Sequence, residues 1–194
     1  MPMIRSPIGL RVSLRPDRSP RDQIQQAARL GARGVVLDAA GDLAPERLGE
    51  TGRRELRFVL RSAELNLIAL SLPTRRPFDT LDQLDDRLAR ADRAFAMAFE
   101  LGTRLVLARV GGVPGESDGP RREVFTGALT ELGRRADHRG VRLAIETGAE
   151  AGSVLRGFLD GLNVPTLAAS LDPGALLRMG HDPVAATRDL GAWV

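Results

Sequence analysis

An α/β fold of the (β/α)8-barrel type, present as about six βα units, is predicted for this chain from three observations. Six short apolar runs alternate with segments of helical period, as βαβ units in a parallel sheet require. Their starts fall 23 to 38 residues apart, room for one crossover helix each. The helical segments are punctuated by capping residues, prolines and glycines. Eight such units take about 250 residues. With 194 residues, and a seventh strand opening at Ala192-Trp193-Val194, the expectation is one partial barrel domain over residues 1–194 that stops before strands seven and eight.

The elements follow in order. Strands are expected at Arg11–Arg15, Gly34–Ala39, Asn66–Leu72, Arg104–Val110, Val141–Thr147 and Thr166–Leu171. Ser19-Pro20 supplies an N-cap and a proline at the first helical position of a helix running to Gly31. A second helix is expected around Thr51–Leu65. Thr80-Leu81-Asp82-Gln83 has the capping-box pattern of a long helix ending at Gly102, with Leu84, Leu88, Ala91, Phe95 and Phe99 inward. Pro120 opens the next, with Val124, Leu129 and Leu132 inward, ending before Gly140. A short helix at Ser153–Leu162 and one from Asp182-Pro183 to Gly191 complete the set. Leu30–Leu37 and Leu101–Leu107 echo each other as cap glycine, short turn and buried strand. The loops after strands face the active site of such a barrel, so Pro73–Asp79 and Gly111–Pro120 are the expected substrate-facing walls.

Composition excludes several chemistries. There is no cysteine, so disulfides, thiol catalysis and thiolate metal sites are out. All 28 Lys+Arg residues are arginine; without lysine there is neither a Schiff-base nucleophile nor a Walker-type phosphate loop. No run approaches the ~18 apolar residues of a membrane helix, and Met1-Pro2-Met3-Ile4-Arg5 lacks a signal peptide's apolar region, making the cytoplasm the expected compartment. The pI of about 10.9 accompanies a formal charge of only +3, because arginine titrates above ~12. The doublets Arg53-Arg54, Arg75-Arg76, Arg121-Arg122 and Arg134-Arg135 are scattered over presumed outer helices and loops. A nucleic-acid partner, which needs a clustered basic patch, is not expected.

Two carboxylates close buried strands: Glu146 in Leu143-Ala144-Ile145-Glu146-Thr147-Gly148, and Asp172 in Ala168-Ala169-Ser170-Leu171-Asp172-Pro173-Gly174. Neighbouring parallel strands lie ~4.8 Å apart, so the two can direct oxygens at one divalent ion, which resolves the repulsion between them. Oxygen ligands suit Mg²⁺ or Mn²⁺, with Zn²⁺ or Co²⁺ if imidazole joins. A plainer role for Glu146 is an ion pair with an arginine. Asp172 before Pro173 is also an N-cap, compatible with a strand-end ligand. Arg15, Asp38 and Arg109, at or near the ends of strands one, two and four, are candidates for binding substrate hydroxyl, carboxylate or phosphate, or for bracing the rim. His138 at a helix C-terminus and His181 in a turn are read as structural. The Gly111-Gly112-Val113-Pro114-Gly115 loop lacks dinucleotide-binding spacing.

On these motifs the chain resembles the xylose isomerase-like barrels, the sugar phosphate isomerase/epimerase superfamily. Glu146 in LAIETG matches the family's glutamate closing strand five, and Asp172 in SLDPGALLRMGHDPV matches its strand-six aspartate. The resemblance implies a divalent-metal-dependent isomerase or epimerase acting on a small sugar, keto-acid or cyclitol. Glu146 and Asp172 would be metal ligands, and Glu146 also the proton carrier. It implies further ligands, a His on strand seven and a Glu on strand eight, which the six-unit reading lacks; Ala175 stands where many members have a His. The expectation is therefore a chain inactive by itself. A non-catalytic barrel fragment that self-associates through open edges is the alternative. An abasic-site endonuclease of the same superfamily fits less well, since its metal cluster is rich in histidine and this chain has two.

Overall fold

The computed structural model describes residues 8–194; the segment Met1–Arg5 lies outside them. Six strands form one parallel sheet in sequential order: β1 (Gly9–Val12), β2 (Gly34–Asp38), β3 (Asn66–Leu72), β4 (Leu105–Ala108), β5 (Arg142–Glu146) and β6 (Leu167–Ser170). Between them run α1 (Pro20–Arg29), α2 (Glu50–Ser62), α3 (Leu84–Leu101), α4 (Gly119–His138) and α5 (Gly152–Leu162), with α6 (Pro173–Arg178) and α7 (Pro183–Leu190) after β6. This is the expected (β/α)8-type arrangement with six strands, each crossover carrying its helix. Strand order agrees with the sequence reading; one short helix, α6, is additional to the six expected, and the edges of elements moved.

The largest shift is in the first strand, expected at Arg11–Arg15 and found at Gly9–Val12. Pairing across strands sets its start: Gly9 lies opposite Gly34, and Val12 opposite Leu37. A Cβ at Gly9 would fall 2.4 Å from Ile68 Cδ1, and one at Gly34 would fall 2.7 Å from the same atom. Ile68 is the extra residue where the β2–β3 register shifts between Val35 and Val36. Two glycines on adjacent strands thus make room for one bulged isoleucine, which locks β1 two residues earlier than its apolar pattern implies.

Other departures have equally local causes. The capping box at Thr80 does not form. Gln83 takes the left-handed conformation (φ 52°) and α3 begins at Leu84. Arg87 donates instead to the carbonyls of Thr80 and Asp82. Phe99, expected inward, is 47% exposed and carries the Arg104 guanidinium 4.1 Å from its ring centre. Val124 is half-buried, and its neighbour Phe125 fills the core beside Phe158 instead. Ala192-Trp193-Val194 is not a strand, but the Trp193 carbonyl accepts from Ala169 of β6 at 2.7 Å and its indole donates to Asp160 at 3.0 Å. The core joins both halves of the sheet through Leu37, Leu70, Val106, Leu143 and Leu167 on the strands, with Phe95, Leu129 and Leu159 on the helices.

Candidate active site

The carboxyl ends of the strands converge on one polar cluster. Glu146 is the last residue of β5 and only 9% of its side chain is exposed. Arg11, in the middle of β1, donates to Glu146 Oε1 at 2.7 Å, to Asp38 Oδ1 at 3.1 Å and to the Ser71 hydroxyl at 2.5 Å. Asp38 closes β2 and also accepts from the Ser13 hydroxyl at 2.5 Å. One guanidinium therefore ties the ends of β2, β3 and β5 together across the mouth. Burial acts to lower the Arg11 pKa, but attraction to Glu146 and Asp38 outweighs it and raises the group above arginine's ordinary value.

Arg109 stands immediately after β4, with 60% of its side chain exposed. Its Nε lies 3.6 Å from Glu146 Oε2 and its Nη2 lies 3.5 Å from Asp172 Oδ2. The two carboxylates thus stand on one rim and face a single guanidinium, the ion pair with an arginine being the plainer role read for Glu146. Thr147 fixes their relation: its backbone N–H donates to the Ser170 carbonyl at 2.9 Å, and its buried hydroxyl accepts from the Asp172 N–H at 2.8 Å. Asp172 is the N-cap read for it. Oδ1 caps α6 through the Ala175 N–H at 2.8 Å, while Oδ2 faces Arg109.

Arg15 does not join this group. With β1 ending at Val12, it lies in the following loop, pairs with Asp17 at 3.1 Å and exchanges hydrogen bonds with Gln23. Asp38 and Arg109 are in the mouth; Arg11, Ser13 and Ser71 are there too and were not anticipated. The β1 register explains the exchange, because it turns Arg11 rather than Arg15 toward the strand ends. Glu150 was also missed. It accepts from the Val113 N–H at 3.1 Å, and burial raises its pKa.

Two cavities meet at Glu146. One of about 290 Å³ is walled by Arg11, Ser13, Ser71 and Arg109. Another of about 350 Å³ is walled by Arg109, Thr147, Gly148 and Ala175. Glu146 Oε1 is engaged by Arg11, so Oε2 is the oxygen left toward Arg109 and the open space. Two carboxylate groups around one cation position are a donor set that a hard divalent ion accepts in kind. Among the described residues no group of three or more His, Cys, Asp or Glu surrounds a common point. Glu146 and Asp172 are the residues that would hold such an ion, in competition with Arg109.

The sequence profile of the xylose isomerase-like TIM barrel family matches residues 24–192. The chain belongs to this family. A search of curated proteins returned no match. Among solved structures, this xylose isomerase-like chain is similar to a xylose isomerase domain protein from Planctomyces limnophilus, at TM-score 0.84 and 20% identity over 97% of this chain and 71% of that one. A xylose isomerase-like TIM barrel protein from Mycobacterium smegmatis, solved in complex with magnesium, superposes at TM-score 0.78 and 19% identity over 97% and 72%. D-psicose 3-epimerase from Clostridium cellulolyticum H10, solved with D-tagatose, gives TM-score 0.77 and 13% identity over 96% and 70%. At such identities the likeness establishes the shared barrel fold. No helix among the described residues is long and apolar enough to cross a membrane.

Proposed function

We propose that this xylose isomerase-like chain carries the proton-transfer site of a sugar isomerase or epimerase, with a small sugar, keto-acid or cyclitol as substrate and a divalent metal ion as cofactor. The observation that carries the reading is the pairing of Glu146, nearly buried at the end of β5, with Asp172 on one shared cation position. The family membership and the epimerase and magnesium-bound neighbours support the reaction class and the metal.

Residue roles follow from the geometry. Arg11 fixes Glu146 through Oε1 and leaves Oε2 facing the cavities, where it takes a proton from a carbon next to a carbonyl. Isomerisation follows when that proton goes to the carbonyl carbon and the hydroxyl proton passes to the former carbonyl oxygen, and epimerisation when a proton returns to the same carbon on its opposite face. Positive charge beside the substrate oxygen steadies the developing enediolate, and Arg109 is placed for that. A divalent ion, when held by Glu146 and Asp172, supplies Lewis-acid polarisation of the same oxygen.

The test is incubation of the chain with ketoses and aldoses in D₂O containing Mn²⁺ or Mg²⁺, following deuterium entry at the exchanging carbon by NMR. Full turnover by this chain is not expected without the two further ligands that the resemblance implies. Proton exchange needs only Glu146 beside a polarised carbonyl, so exchange that Glu146→Gln abolishes is the expected result; exchange that survives the substitution removes Glu146 from its role. Calorimetry with Mn²⁺ should show weak binding lost in the same variant, since catalytic sites ordinarily use at least three protein ligands. Tight stoichiometric binding would mean that other residues complete the site.

One observation favours a second, compatible reading. Among the described residues β1 pairs only with β2, and the outer side of β6 meets only the Trp193 carbonyl. Such edges recruit further strands, so self-association through them is the alternative property of this chain. A concentration-independent monomer in light scattering would end it.

A further inference from the structure

A third cavity, of about 570 Å³, lies between the loops that follow β3 and β4. Four arginines line it, Arg75, Arg76, Arg109 and Arg121, against two acids, Asp79 and Asp118. Arg76 pairs with Asp82, Arg121 pairs with Asp79 and Asp118, and Arg75 meets no carboxylate among the described residues. The N-terminus of the 20-residue helix α4 opens at the same rim, and the Asp118 side chain caps none of its backbone N–H groups, which adds the positive end of the helix dipole. Of the four arginine doublets read from sequence as scattered outer residues, Arg75-Arg76 and one member of Arg121-Arg122 are here brought to one wall.

The cavity wall also includes a buried acceptor in want of a donor. Asp79 is 2% exposed; Arg121 takes its Oδ2, and its Oδ1 is buried without a partner. A buried unpartnered oxygen costs about 1–3 kcal/mol unless something donates to it, and a ligand hydroxyl is such a donor. The walls are already set. The Phe78 N–H donates to the Val110 carbonyl at 2.8 Å, the Thr74 hydroxyl to the Arg109 carbonyl, and the Val113 N–H to Glu150 at 3.1 Å. At Gly111 (φ 105°) a Cβ would stand 2.4 Å from Pro77 Cβ, so only glycine lets the two loops approach this closely.

We propose that this cavity is a subsite for an anionic, hydroxyl-bearing part of the substrate, a phosphate or carboxylate on a sugar. Arg75, Arg76 and Arg121 hold the anion and Asp79 accepts from a hydroxyl. Arg109 lines this cavity and both cavities at Glu146, so a ligand seated here reaches the proton-transfer site past a single side chain. The subsite uses loops three and four, whereas phosphate sites of such barrels commonly use the loops after strands seven and eight. Its link to Glu146 rests on the isomerase reading; anion binding stands on the cavity alone.

Calorimetry on the full chain at low salt, with inorganic phosphate, a hexose 6-phosphate, a hexonic acid and an uncharged hexose, tests it. The charged sugars should bind at least about tenfold tighter than the uncharged one, and the stronger of the two shows which anion the site prefers. Arg75→Gln, which breaks no ion pair of the fold, should weaken them roughly tenfold, one charge-assisted hydrogen bond's worth. Arg121→Gln should weaken them further, with circular dichroism checking that the chain stays folded. Glu146→Gln should leave charged-sugar binding unchanged or tighter while abolishing deuterium exchange. Charged sugars binding no better than the uncharged one, or a folded Arg75→Gln with undiminished affinity, would overturn the subsite. Arginine-dependent binding without exchange by the unmodified chain would uphold the subsite and remove the isomerase reading.

Discussion

Arg11 and Arg109 reach the same mouth, one from within β1 and the other from just past β4, and both touch Glu146. Arg11 is engaged by Asp38, Glu146 and Ser71 at 2.5–3.1 Å, while Arg109 stands 3.5–3.6 Å from its two carboxylates with 60% of its side chain in solvent. Every donor face of a guanidinium used at short range makes a brace, because removing it strands partly buried carboxylates. A guanidinium held at long range and well hydrated gives up little when displaced. The β1–β3 side of the mouth is therefore scaffold, and the β4–β6 side is where a substrate or a metal ion can take the cation's place.

The comparison can be broken at several points. The largest effect should come from Glu146→Gln, the residue both arginines share. Loss of a positioned general base costs about 10²–10⁴-fold in rate, read as deuterium exchange in the NMR assay. An unchanged rate would mean that the two halves do not meet in a proton-transfer site.

Next in size, Arg11→Met should lower unfolding stability by about 2 kcal/mol in urea. That is less than the ~3–5 kcal/mol of a fully buried pair, because 43% of the Arg11 side chain is exposed. Arg109→Met should cost less than about 1 kcal/mol and show its effect in ligand affinity instead. Equal losses for the two variants would erase the distinction between brace and exchangeable cation.

The smallest effect concerns neither arginine of the mouth and serves as a control on the outer surface. Glu131 on α4 accepts from Arg134 and Arg135, and these pull its pKa from near 4.5 down to about 2. A carboxyl lowered in the folded state adds stability above its ordinary pKa and loses it as pH falls toward the folded value. Stability measured between pH 7 and pH 2 should therefore show a Glu131-dependent decline from about pH 4.5 downward, absent in Glu131→Gln. The pair is largely solvated, so the change should stay within about 1 kcal/mol.

Much of the molecule was legible in its residues because the signals are local. Pro20, Pro120 and Pro183 open helices, Gly102 closes one in the left-handed conformation, and six apolar runs give six strands in order. Glu146 and Asp172 were legible for the same reason: a carboxylate after a buried run marks a strand's end, and a parallel sheet puts such ends on one rim. The capping box at Thr80 misled, since Asp82 pairs with Arg76 and Gln83 turns left-handed there.

What no local pattern contains is which distant groups meet. Arg11 finds Glu146 across 135 positions, and it does so because Gly9 and Gly34 seat Ile68 and so fix the register of β1. Arg15, four residues along, ends on Asp17 in a loop. Arg75 and Arg76 stand in the loop after β3 and Arg121 in the first turn of α4, and their approach depends on Gly111 passing under Pro77. The order of strands and the two strand-end acids follow from hydrophobic period and chain punctuation, which act over a few residues. The partners of those acids follow from register and loop packing, which exist only once the sheet has formed.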